Sequence, residues 1–167
     1  MSRDEEGSIR LEPRFLLDAM LGSLARWLRI CGYDAEYPGN IPDEELITLA
    51  SKEGRILLTR DELLYRKAVR EGLESLLVEG GSDAEMLRSV SMRFNLKLDP
   101  ERSRCPLCGA ELKAADREAV RGKVPTRTLK AYEDFWICTS CGQVYWKGSH
   151  WRSILEMVEE ATRGERP

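Results

Sequence analysis

No apolar run in the chain approaches the roughly 18 residues needed to span a bilayer, so a membrane-spanning helix is excluded. The first residues, MSRDEEGSIRLEP, are polar and acidic and lack a secretory apolar core. They read as a frayed tail over 1–13, and the chain is expected to be cytoplasmic, with no membrane partner. Low-complexity tracts are missing, and the only internal repeat is a pair of Cys-x-x-Cys knuckles. Histidine is nearly absent. His150 stands alone, too far from the knuckles to be needed as a ligand; a phosphate or RNA contact and a local hydrogen bond are its two readings. In a reducing compartment, five cysteines of which four lie in knuckles point to metal rather than to disulfides.

What is present suits one domain with an appendage, or two small domains: 167 residues, 42% hydrophobic and 33% charged. The net charge of −3 hides an asymmetry. Residues 1–98 carry 14 Lys+Arg against 18 Asp+Glu, whereas 102–132 carry eight basic residues against Glu111, Asp116 and Glu118. An acidic first part joined to a basic segment suggests that the second part holds phosphates, the plainer reading being a solvated loop.

Through the first hundred residues apolar runs alternate with helical patterns. RFLLD (14–18) reads as a buried strand, and Leu21, Leu24, Ala25 and Leu28 follow at helical spacing until Gly32. DAEYP (34–38) is a second strand, and Asp43 is expected to cap a helix that closes at Gly54. RILLT (55–59) and SLLVE (75–79) are further strands, followed by helices over about 61–70 and 83–94. Such alternation implies right-handed crossovers and a parallel sheet covered on both faces. The pattern breaks at NLKLDPERSR (95–104); the knuckles, the basic segment and a helix over about 150–163 follow. The expected domains are therefore 14–98, and a small ribbon with a C-terminal helix over 99–167.

Open parallel sheets gather functional groups at the carboxyl ends of their strands. Asp18 closes the first strand there, Asp61 lies just beyond the third, and Asp43 enters the helix between them. Glu44, Glu45, Glu62 and Asp83 are near these positions. Carboxylates assembled from separate turns repel unless a cation neutralises them, and oxygen-rich sites suit Mg²⁺ or Mn²⁺. One or two such ions activate water and stabilise the leaving oxygen of a phosphodiester. Capping equally accounts for Asp43, Asp61 and Asp83, and an ion pair with Arg60 or Arg26 for Asp18. Arg26, Arg29 and Arg60 either hold phosphates or balance the acids.

The knuckles, Cys105-Pro-Leu-Cys108-Gly and Cys138-Thr-Ser-Cys141-Gly, are more specific. Four thiolates in tetrahedral array form a closed structural Zn²⁺ site. Cys31 reads as a small buried apolar residue. Around the second knuckle, Tyr132, Phe135, Trp136, Tyr145, Trp146 and Trp151 read chiefly as ribbon core or inter-domain seam, with base stacking the alternative.

FLLDAMLGSLARWLRICGYDAE, PDEELITLASKEGRILLTRDELL, the paired knuckles and VYWKGSHW together closely resemble the Mut-seven C-terminal RNase domain family, over roughly 14–152. The resemblance implies a PIN-like three-layer α/β/α domain with a central parallel sheet, followed by a zinc ribbon, and a metal-dependent endoribonuclease. By that likeness Asp18, Asp43 and Asp61 are catalytic and hold Mg²⁺ or Mn²⁺. Arg26, Arg29 and Arg60 match its basic positions, and Cys105, Cys108, Cys138 and Cys141 its ribbon. RNA is the implied partner, and the charge of the second part makes Lys123, Arg127 and His150 its candidate contacts on the ribbon. The joining of domain and ribbon is also similar to the endonuclease that matures small-subunit ribosomal RNA, which makes the ribosome or its RNA a candidate partner. Related sequences often carry a further aspartate where Leu63 stands, leaving Glu62 or Asp83 as fourth carboxylate. That substitution motivates an alternative, a non-catalytic RNA- or ribosome-binding factor; a protein–protein adaptor is a third class.

Overall fold

Fifteen to seventeen begins a four-stranded parallel sheet in the computed structural model, which describes residues 12–163 and, ahead of them, 2–3 and 9–10. In chain order the elements are β1 (Ser2–Arg3), β2 (Ile9–Arg10), β3 (Phe15–Leu17), α1 (Gly22–Ile30), β4 (Ala35–Glu36), α2 (Asp43–Glu53), β5 (Ile56–Thr59), α3 (Glu62–Arg70), β6 (Ser75–Leu77) and α4 (Asp83–Phe94). The second part holds β7 (Leu112–Ala115), α5 (Arg117–Val120), α6 (Thr126–Ala131), β8 (Phe135–Cys138), β9 (Val144–Tyr145) and α7 (Trp151–Arg163). Of the tail expected over 1–13, residues 1, 4–8 and 11 lie outside the described residues, while β1 and β2 pair antiparallel.

The sheet order is β4-β3-β5-β6, every pair parallel. Side chains alternate along each strand, so the two faces fill from different helices. Phe15, Leu17, Ile56 and Leu58 meet Leu24 and Leu28 of α1 and Leu87 and Val90 of α4. Leu16 and Leu57 point the other way, to Leu46, Ile47 and Ala50 of α2 and Leu64 and Ala68 of α3. The result is a three-layer α/β/α domain consistent with a PIN-like fold. Although α7 follows the ribbon in the chain, its Val158 and Ala161 join the first of these cores, and Arg88 of α4 donates to the carbonyls of Glu160 (2.8 Å) and Ala161 (3.2 Å).

Two expected caps differ from those observed. Pro42, not Asp43, is the N-cap of α2, and Asp43 is its exposed first residue. Ser82, not Asp83, caps α4 by accepting from the Glu85 N–H. Asp61 does cap α3, taking the N–H groups of Leu63 and Leu64. At the amino edge of the sheet, charge is tightly paired: buried Arg55 donates to Asp34 Oδ1 (2.9 Å) and Glu53 Oε1 (2.7 Å), and Arg14 adds a contact to Asp34 Oδ2 (3.3 Å).

Burial alone would raise the Asp34 carboxyl, but hydrogen bonding and charge from Arg55, helped by Arg104 and Arg14, hold it below its ordinary value. Stability from a depressed carboxyl is fully present above the unfolded value of about 3.9 and is lost as pH falls through the folded one. Asp34→Asn is therefore expected to cost about 1–3 kcal/mol at pH 7, because Arg55 keeps only Glu53 as an anionic partner. Urea unfolding at pH 7 and pH 3 checks this: the difference between variant and wild type should shrink at the lower pH.

Candidate functional site

Strands β4 and β5 leave β3 on opposite sides, so the connections diverge at the carboxyl ends of β3 and β5, where a crevice forms. The register pairs Leu17 with Leu58, which sets Asp18 beside Thr59, both on the α2/α3 side by strand alternation. Asp18 is only 8% exposed. Its Oδ1 accepts from the Met20 N–H (3.1 Å) and its Oδ2 from the Thr59 hydroxyl. Thr59 Oγ1 in turn accepts from the Asp61 N–H (2.9 Å), so a single hydroxyl joins the two acidic turns. The ion pair expected for Asp18 is not formed: among the described residues no cation pairs with it. Arg60 instead donates to the Gly80 carbonyl (2.5 Å), and Arg26 is exposed on α1. A nearly buried carboxylate without a counter-cation is costly unless hydrogen bonds or a bound ion compensate.

Asp61 and Asp43 stand at the N-termini of α3 and α2, on the same edge and the same face as Asp18. The positive ends of both helices are therefore turned to the acidic edge. The three acids are not drawn into one tight group. Among the described residues, only the four cysteines bring three or more metal-ligating atoms within 4.8 Å of one another. The two candidates for a fourth acid separate clearly. Glu62 is exposed and pairs with Arg66 one turn along. Asp83 is half-buried, and its Oδ2 accepts from Ser23 Oγ (2.7 Å) and Trp27 Nε1 (3.3 Å) at the start of α1. Thr59, Ser23 and Trp27 went unnoticed in the sequence as site residues. Alternation along LLTRD was the available signal for Thr59.

Arg29, expected to hold phosphate, is buried (6% exposed) and does another job. From the last turn of α1, where a cation suits the helix dipole, it donates to the carbonyls of Ala35 (2.8 Å), Pro106 (3.2 Å) and Leu107 (3.3 Å). It thereby ties the first knuckle to the sheet. Gly109 makes room for it, since a Cβ there would lie 3.0 Å from Arg29 Nε, and its φ of +82° is the left-handed turn that follows the knuckle.

The four thiols can hold one metal ion such as zinc. Cys105 and Cys141 sulfurs are 3.7 Å apart and Cys108 and Cys138 sulfurs 3.4 Å. Tetrahedral ligands at the usual zinc–sulfur length would sit about 3.8 Å from each other. The two knuckles fold alike: Gly109 N–H returns to Cys105 O, and Gly142 N–H to Cys138 O. Burial opposes ionisation of Cys138, yet the N–H groups of Cys141 and Ser140 and neighbouring thiols draw it down to about 6. Tyr145 lies 3.1 Å from Cys105 Sγ; burial and this sulfur push the phenol well above its ordinary value, so it stays a donor to the cluster.

The ribbon is an antiparallel sheet, β7-β8-β9, with α5 and α6 inserted, none of which was evident in the sequence. Its small core is Val120, Leu129, Phe135 and Val144, with Tyr132 and Trp146 packed on it. Half of the basic residues over 102–132 are used internally. Arg102 pairs with Glu12 and Arg121 with Glu118; Arg104 donates to Gly109 O and Arg117 to Tyr132 O. Lys113, Lys123, Arg127 and Lys130 are exposed, as is His150, at the entry to α7. No described helix is long and apolar enough to cross a membrane.

Compared with known proteins, residues 13–158 match the family model described as the Mut7-C RNAse domain. No curated protein and no solved structure matches the chain. The family description implies ribonuclease-type chemistry with RNA as substrate.

Removing the metal from the thiol cluster with a strong chelator is expected to unfold β7–β9 while the parallel sheet persists. Limited proteolysis should then cut first within 105–148. Arg29→Met should weaken the docking of the first knuckle by about 1.5–3 kcal/mol, the range for hydrogen bonds from a charged donor. Chemical denaturation of the metal-loaded protein measures that loss.

Proposed function

The chain belongs to the Mut7-C RNase domain family, and on that footing we propose that it is a metal-dependent endoribonuclease that hydrolyses RNA phosphodiester bonds at the Asp18 edge. The observation that carries the reading is Asp18 itself: a nearly buried acid with no cation partner among the described residues, placed where the sheet connections diverge. The donor set is all oxygen, which fits Mg²⁺ or Mn²⁺. Asp18 and Asp61 are the proposed direct ligands. Asp43 would help hold the ion's hydration shell, since Mg²⁺ keeps much of its water and the three carboxylates need not close on one point. Asp83, oriented by Ser23 and Trp27, is the proposed fourth acid. When bound, the ion would activate water and stabilise the leaving oxygen.

The chain's own groups do the positioning. The Thr59 hydroxyl holds Asp18 in one rotamer and couples it to the turn carrying Asp61. Arg60, tethered to the Gly80 carbonyl at the rim, is placed to bind a phosphate, and exposed Arg26 offers a second contact. Lys123, Arg127 and His150 extend the RNA surface over the ribbon, which a structural Zn²⁺ at Cys105, Cys108, Cys138 and Cys141 holds together. Thiols kept reduced for that role accord with a cytoplasmic protein, and single-stranded or looped RNA, ribosomal RNA included, is the proposed substrate class. One observation favours the non-catalytic alternative: Leu63, where related sequences carry an acid, is 75% exposed beside Asp61.

With Mn²⁺ added, wild type should cleave RNA, and Asp18→Asn should lower the rate on the order of 10³-fold, the several kcal/mol that metal assistance supplies. Folding and RNA affinity of the variant should stay close to wild type. Gel-based cleavage with circular dichroism and a binding assay reads all three. Should the wild type bind RNA yet leave it intact under every divalent ion, catalysis is overturned in favour of the binding factor.

A further inference from the structure

Three of the four tryptophans do not belong wholly to a core. Trp136 on β8, Trp146 after β9 and Trp151 at the start of α7 line a cavity of about 120 Å³, where the ribbon, α7 and the end of α1 (Ile30) meet. All three are half-buried, and none of their indole N–H groups has an acceptor among the described residues. Trp146 is braced by Phe135, ring to ring at 6.3 Å. Lys147 lies over the other two, its ammonium 4.8 Å from the Trp151 centroid and 5.9 Å from that of Trp136. Its carboxylate partner Glu101 (2.7 and 2.9 Å) is exposed, so that pair exchanges readily with solvent or another anion.

A cavity of this size walled by indoles, with unused N–H donors and the Lys147–Glu101 pair in its lining, suits a flat, polar-edged ring carried on an anionic chain. We propose that it takes one unpaired RNA base, stacked on Trp151 or Trp136, with Lys147 turned to the adjoining phosphate. The proposal rests on the ribonuclease reading above and adds to it a register. The α1 helix runs from the acidic edge to this cavity, nine residues or about 14 Å. Ser23, which holds Asp83, Arg26 and Ile30, which lines the cavity, fall at i, i+3 and i+7 on one stripe. Arg26 is exposed midway along it, without an acceptor among the described residues. A single strand laid on that stripe enters the indole cavity a few nucleotides from the bond to be cut. Lys147 over the indoles and exposed Arg26 along the stripe favour a polyanion over a neutral peptide.

The test titrates full-length, metal-loaded protein, without added Mg²⁺ or Mn²⁺, with short oligoadenylate and with an abasic strand of equal length and charge. Wild type should bind the base-bearing strand about tenfold more tightly, with quenching of indole fluorescence. Trp151→Leu should bring the two strands to similar affinity while leaving the abasic strand unchanged, and Lys147→Met should weaken the base-bearing strand more than the abasic one. Metal content and circular dichroism report on folding; if Trp151→Leu misfolds, Lys147→Met and the wild-type quenching decide. Equal affinity for both strands in wild type, or equal quenching by an acidic peptide, overturns the base site and leaves the ribonuclease reading standing. Failure of wild type to bind any RNA overturns the ribonuclease reading as well.

Discussion

A carboxylate at the end of the sheet's central pair of strands, almost wholly out of solvent and without a cation partner among the described residues, is the constraint on which the acidic edge depends. Asp18 is tolerated there because the Thr59 hydroxyl and the Met20 N–H satisfy its oxygens and because the positive ends of α2 and α3 face it. Parallel topology supplies both conditions at once. Every strand ends, and every following helix begins, at the same edge. Asp43, Asp61 and Asp83 arrive there for the same reason.

The opposite edge shows what the same charged residue types do when their role is structural. Arg14, Asp34, Glu53 and Arg55 form a set of ion pairs at the starts of strands, with buried Arg55 meeting two carboxylates. Asp18, Asp43, Asp61 and Asp83 at one edge form no ion pair among the described residues, whereas Asp34 and Glu53 at the other do. That contrast separates a site from a scaffold more sharply than the number of acids does. It also explains why the amino edge can carry buried charge without a ligand.

Arg29 makes the ribbon part of the first domain rather than a pendant. A guanidinium at the last turn of α1 caps carbonyls of the first knuckle, and α7 returns to pack on α4, so the chain closes over the sheet from both directions. The ribbon consequently sits at the far end of α1 from Asp18. An RNA laid along that helix would touch both, with exposed Arg26 on its path and the separation of ribbon and acids as its length.

Strand and helix positions through 14–94 were legible because each is written locally, in runs of apolar residues, in spacing, and in Gly54 as a helix stop. The thiol cluster was legible for a similar reason, since a Cys-x-x-Cys turn presents two sulfurs whatever surrounds it. Less was readable after residue 104: β7, β8 and β9 are short and pair across long separations, and no local pattern announces them. The sequence by itself determined a parallel sheet, the edge where its acids collect and four sulfurs spaced to hold a metal. Only the tertiary structure decided that Arg29 serves the fold, that Thr59 bridges the two acidic turns and that α7 belongs to the first core. Each of those depends on which distant groups come within reach of one another, a relation between segments that no single segment encodes.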